Sequence, residues 1–406
     1  MTKILSKKLK GSIIENRLFI SNITYSQTNI KNIFQDLNIE KPAISIMNDK
    51  SKTYLFKIEN LPIGGANILK QDALSVGCDL AVPRGTILCE TKTVNAILIG
   101  TKKHLKILSQ KEMAQPFGLK TVAKELKLFL KTLDSDLEKA RIMGVLNINE
   151  DSFYSMSRTD SKDFLGKTYK MISDGADILD IGAVSSRPFS ESVSEEEEFK
   201  RVKNIIDLIY QEKIYSKVKL SLDSYAPKVI DYALNHGFKI VNDIKGLQSD
   251  EVAKLVSKYS AEVVIMHMQN NPENMQKNPK YSHLIREIYD FFEKQTQKAL
   301  DFGIQKEKII LDVGIGFGKT LKHNIQLLQE MPTFKKMGFD LLIGASRKSM
   351  ISQIMQDENL SPAERLGGTI AIHQESLKNG ASIIRVHDVK EHKQMLEFLK
   401  AVSFYN

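Results

Sequence analysis

The chain has 406 residues, 42% hydrophobic and 26% charged, with a formal net charge of +9 and two cysteines. This is the balance of a folded soluble protein long enough for two domains, or for a large α/β barrel with an appendage. No apolar run reaches membrane-spanning length and the N-terminal stretch has no signal-peptide core, so the expected location is the cytoplasm, with no membrane partner.

The charge is uneven: residues 1–140 hold 22 Lys/Arg against 13 Asp/Glu, and residues 141–406 hold 36 of each. That shift marks a domain boundary inside KTLDSDLEKA (131–140). The lysines of the N-terminal third are scattered and lack interleaved aromatics, which argues against nucleic acid as a partner. Cys78 and Cys89 have no metal-ligand or C-x-x-C spacing and read as inert packing residues.

In chain order, residues 1–135 form a small α/β domain of unassigned role. Its predicted elements are a helix near 65–76, a strand at 79–83, a strand at 94–100, and helices over 102–113 and 117–131. Gly64-Gly65 reads as a turn.

From residue 141 to 406 a unit repeats: an apolar run, a polar or glycine-containing loop, then a helical stretch. The runs are IMGVLN (142–147), DILDIG (177–182), VKLSLD (218–223), KIVNDI (239–244), EVVIMHM (262–268), KIILDVG (308–314), DLLIGAS (340–346) and SIIRVHD (382–388). Apolar runs alternating with helices read as parallel strands buried on both faces. Ser194 and Glu197 predict a capping box at the head of one intervening helix. Eight such units predict a (β/α)8 TIM barrel, with an open doubly wound sheet as the alternative.

Each run ends in something polar: Asn147, Asp180, Asp223, Asn242, His267, Asp312, Lys348 just past its strand, and Arg385 with His387. In a barrel these converge on one rim, where active sites lie. Carboxylates and an amide suit the edges of a nitrogen-rich ring such as a pterin or purine, and the cations suit a phosphate or pyrophosphate. GIGFGKT (314–320) ends like a nucleotide phosphate loop, but its leading glycine stands one residue too close. Its Lys319 is expected to point along the start of a helix. There is no zinc spacing and no hydrolase elbow.

MGVLNINEDSF (143–153), GADILDIGAVSSRP (175–188), LSLDSYAPKV (220–229), VNDI (241–244), VIMHMQNNPENMQKNPKY (264–281), ILDVGIGFGKTLKHN (310–324), LLIGASRKSMI (341–351) and RVHDVKEH (385–392) resemble, in order, the blocks of the dihydropteroate synthase family. The family joins 6-hydroxymethyl-7,8-dihydropterin diphosphate to p-aminobenzoate on a usually dimeric barrel. The resemblance implies that Asn147 lies by the pyrophosphate and a Mg²⁺ ion. It implies that Asp223, Asn242, Asp312 and Lys348 hold the pterin, with Gly344 and Met266 or Met268 lining the slot. Arg385 and His387 would grip the leaving group. Ser186, Arg187 and Pro188 would close over p-aminobenzoate, with Phe317, Ser346 and Lys348 completing its pocket. Methyltetrahydrofolate:corrinoid methyltransferases share the pterin barrel but need no cationic site for a leaving pyrophosphate.

Overall fold

The computed structural model of the chain describes residues 34–35, 37, 39–132, 139–148, 158–182, 193–270 and 274–404. In the N-terminal part, β1 (Thr53–Pro62), β2 (Asp79–Ala81) and β3 (Thr93–Thr101) pair antiparallel in the order β1-β3-β2. Successive strand residues point to opposite faces. Tyr54, Phe56 and Ile58 therefore share a core with Val94, Ala96 and Leu98, covered by the helices Ile63–Val76, Lys102–Lys111 and Leu119–Thr132.

β1 and the helix Lys41–Asn48 lie outside the elements the sequence predicts. The alternation of β1 is a usable signal, diluted by Lys57, Glu59 and Asn60. Its pairing with β3, which shifts register between Ile58 and Leu61, completes the strand. Gly64 and Gly65 do not form the expected turn but begin the helix Ile63–Val76. A Cβ on Gly65 would sit 2.8 Å from the Phe117 carbonyl oxygen, so close packing explains that glycine. Cys78 is buried as expected, whereas Cys89 is exposed.

The remaining eight strands close a parallel barrel: β4 (Arg141–Asn147), β5 (Ile178–Gly182), β6 (Lys219–Asp223), β7 (Ile240–Asp243), β8 (Glu262–Met266), β9 (Ile309–Asp312), β10 (Asp340–Ile343) and β11 (Ile383–Val386). Each pairs with its sequence neighbour, and β11 returns to β4 through Ile383–Arg141 and Ile384–Ile142. Closure decides against the open sheet.

Outward-facing residues such as Leu179, Ile181, Leu220 and Leu222 pack beneath the helices. Inward-facing Met143, Ile178, Ile240, Val264, Ile310, Leu342 and Ile383 form a separate buried plug. The barrel cores share no residue with the N-terminal core. Lys336 reaches Glu125 at 2.6 Å between the two parts. Ser194 caps the helix Glu195–Gln211 by accepting from the Glu197 N–H. The reciprocal half of the expected capping box is not formed, and the Glu197 carboxylate accepts from Arg201 Nε. Among the described residues no helix is long and apolar enough to cross a membrane.

Candidate active site

The site follows from the plug by counting two residues along each strand. Alternation returns the side chain to the barrel interior one layer nearer the C-terminal rim. From Ile178, Ile240, Val264, Ile310, Leu342 and Ile383 that step reaches Asp180, Asn242, Met266, Asp312, Gly344 and Arg385. Asp223 joins them at the end of β6, level with Asn242 on β7.

Arg385 organises the floor. Its Nε donates to Asp180 Oδ2 at 2.6 Å and a terminal nitrogen to Asp223 Oδ2 at 2.7 Å. Asn242 Nδ2 donates to the same Asp180 oxygen at 3.0 Å. Burial works against the Arg385 charge, but the two carboxylates outweigh it and hold the guanidinium protonated. Burial pushes the Asp223 carboxyl up to about 7; Arg385 opposes this, and Asp180 adds to it.

Asp180 stands at a strand end in the sequence reading but without a site role. Here it is wholly buried, and its Oδ1 has no hydrogen-bond partner among the described residues. Its engagement by Arg385 together with Asp223 gives it a place in the site.

A second wall comes from the loop after β9. Asp312 is buried and accepts from the Gly314 N–H at 2.8 Å; burial raises its carboxyl. Gly314 has φ +67°, and a Cβ there would lie 2.0 Å from the His267 carbonyl oxygen. Only glycine lets this loop press against the end of β8. Lys348 Nζ donates to the Ile315 carbonyl and lies 4.1 Å from the Phe317 ring centre, and burial lowers it to about 8.

Lys319 does not run along a helix start. It is buried, donating to Phe317 O at 2.9 Å and to His267 O and Nδ1 at 3.1 Å each. Burial brings it down to about 7, and burial followed by Lys319 brings His267 down to about 2. The helix cap is Thr320, in a reciprocal box with His323.

A third group lies at the ends of β10 and β11. Ser346 Oγ is 2.9 Å from His387 Nδ1 and accepts from the His387 N–H at 3.2 Å, and Arg347 pairs with Asp388. Ser346 thus sits with His387. A Cβ on Gly344 would lie 3.8 Å from Arg385 Cβ and 4.0 Å from Asp312 Oδ2, in ordinary van der Waals contact with both. Met266 lies level with Asp312, Met268 is half-buried just past the strand, and Asn147 is exposed at the end of β4. Ser186, Arg187 and Pro188 fall outside the described residues.

A family model described as pterin binding enzyme matches residues 143–387. A bifunctional dihydropteroate synthase/dihydropteroate reductase of Helicobacter pylori is 39% identical over 92% of this chain and 97% of its own length. The dihydropteroate synthase of Escherichia coli is 39% identical over 68% of this chain and 96% of its own. Among solved structures, Yersinia pestis dihydropteroate synthase in a sulfonamide drug complex superposes with a TM-score of 0.60 at 37% identity, over 66% of this chain and 95% of that one. The Xanthomonas albilineans enzyme with 4-aminobenzoic acid gives 0.59 at 32%, over 66% and 94%. The chain belongs to the dihydropteroate synthase family of pterin-binding enzymes.

Proposed function

We propose that the chain is a transferase joining 6-hydroxymethyl-7,8-dihydropterin diphosphate to p-aminobenzoate, giving 7,8-dihydropteroate and pyrophosphate. The observation that carries this reading is the meeting, on one rim, of buried carboxylates fit for a pterin edge with cations fit for a diphosphate. The arylamine nitrogen bonds to the pterin methylene, the carbon–oxygen bond to the diphosphate breaks with its electron pair, and the nitrogen releases a proton.

Positive charge grows on the methylene as the bond loosens, and the Asp223 carboxylate beside Asn242 is placed to oppose it. Lys348 and His387 lie where a departing anion can be met, while Arg385, engaged by two carboxylates, fixes the floor. The corrinoid methyltransferase alternative has no use for these cations.

Among the described residues no group of three His, Cys, Asp or Glu is arranged to hold a metal. The amide oxygen of Asn147 suits a hard cation that arrives on the diphosphate, so Mg²⁺ is proposed to enter with substrate and to neutralise part of its charge. A cytoplasmic homodimer, with no membrane or nucleic-acid partner, belongs to the same proposal.

A second activity is favoured by one observation: the match to the bifunctional relative runs through the N-terminal part as well as the barrel. We propose that the chain also reduces dihydropteroate, given a two-electron donor. Product that takes up hydride from reduced flavin or NADPH only with the full chain supports this; dihydropteroate left unreduced by either donor rejects it.

The synthase itself is tested by pyrophosphate release with and without p-aminobenzoate. Release that requires the amine supports the reading, and release indifferent to it rejects it. Lys348→Ala is expected to lower kcat/KM about 100-fold with little change in Tm. Lys319→Ala strands buried acceptors at His267 and Phe317 and should cost about 1–3 kcal/mol of stability, read by urea unfolding. Equal, small effects from both would contradict these placements.

The pH profile of kcat/KM should rise as Asp223 ionises at about 7 and fall as Lys348 loses its proton at about 8. Because folding raises the Asp223 carboxyl from 3.8 to about 7, the stability this group contributes at low pH is lost as pH climbs between those two values and changes no further above about 7. A profile flat across about pH 6 to 9 would contradict the assignment.

A further inference from the structure

The loop after β10, which carries Gly344, Ser346 and Lys348, is held from outside the barrel by one polar stripe. Arg365 donates to the Arg347 carbonyl at 3.0 Å. Thr369 Oγ1 accepts from the Arg347 N–H at 3.0 Å, and His373 Nε2 accepts from the Ala345 N–H at 3.3 Å. The four-residue spacing of Arg365, Thr369 and His373 sets them on one face, running from the cap to the middle of the helix Leu366–Lys378.

From His373 the contact continues inward to a second helix. His373 Nδ1 is 2.9 Å from His392 Nε2, and His392 Nδ1 is 2.6 Å from the Asp388 carbonyl oxygen. Both rings are wholly buried in the helix-packed shell of the barrel.

The two ends of this chain dictate every proton in it. A backbone N–H only donates, so His373 Nε2 is a lone-pair acceptor and its proton sits on Nδ1. That proton points at His392 Nε2, which is therefore unprotonated, and His392 Nδ1–H meets a carbonyl that only accepts. A third proton on either ring would set two hydrogens against each other at one joint. Burial agrees, lowering both imidazoles so that both stay neutral.

The relay joins Ala345, beside Gly344 and Ser346, to Asp388, beside His387. It runs parallel to the direct Ser346–His387 and Arg347–Asp388 contacts. Neither histidine reaches the barrel mouth, and the proposed chemistry leaves both unused.

We propose that His373 and His392 are positioning residues: the two-imidazole relay fixes the backbone at Ala345, and through it Ser346 and Lys348, against the turn that carries His387. This rests on the synthase reading above. His373→Leu keeps much of the bulk but removes the acceptor for Ala345, whereas the amide oxygen of His373→Gln falls near the place of Nε2. The Leu variant is expected to raise KM for p-aminobenzoate and for the pterin diphosphate about tenfold or more, since Lys348 serves both and small misplacements of reacting groups cost that much. The Gln variant should return KM to within about threefold of wild type. Equal behaviour of Leu and Gln would reduce His373 to packing and overturn the proposal.

Should neither variant fold, ¹⁵N spectra of the imidazoles in the intact wild-type protein decide. Both rings protonated at Nδ1 alone are expected, and an Nε2–H tautomer in either ring overturns the relay. A wild-type protein without amine-dependent pyrophosphate release fails the synthase reading, while the spectra still judge the relay.

Discussion

One guanidinium shared by two carboxylates is the constraint on which the barrel mouth depends. Asp180 is wholly buried and the Asp223 side chain largely so, and an unpaired carboxylate there would cost several kcal/mol or take up a proton. Arg385 neutralises one of the two charges. The surplus falls on Asp223, whose carboxyl is pushed up to about 7. The arrangement stores a carboxylate that gains when positive charge appears beside it, as it does when a diphosphate leaves a pterin methylene. The apolar plug beneath supplies the dry floor that gives this its strength.

The groups above that floor are held by their own ties. Lys319 binds the loop after β9 to the end of β8, and Gly314 makes the approach sterically possible. Lys348 rests between the Ile315 carbonyl and the Phe317 ring of that loop, so one tether serves two candidate substrate contacts. The stripe Arg365, Thr369 and His373 does the same for the loop after β10 from the opposite side. Cations placed before substrate arrives need little reorganisation during the reaction.

Much of this was legible in the sequence, for physical reasons. Seven of the eight barrel strands lie within the predicted runs, because strands buried on both faces must be apolar throughout, and β4 begins one residue early, at Arg141. The polar residue closing each run marks the rim. Less legible were relations between distant residues. Asp180 reads as one more strand-end acid until Arg385 is seen to engage it together with Asp223. Lys319 reads as a helix-start lysine because two of its three acceptors lie some fifty residues away in sequence, at His267. β1 hides because its outward face is polar enough to break the apolar run, and its pairing with β3 spans the helix between them.

The N-terminal part has its own three-stranded sheet and core, and it is carried along in the match to the bifunctional relative. The barrel's chemistry rests on residues of the barrel alone, so the central claim can be tested there. The most direct measurement is the titration of the Asp223 carboxyl by ¹³C NMR in the wild-type protein and in Asp180→Asn. Charge sharing through Arg385 predicts a midpoint near about 7 that drops clearly once Asp180 is neutral, because Arg385 then serves Asp223 alone. A midpoint in the ordinary carboxylate range in both proteins would contradict the account.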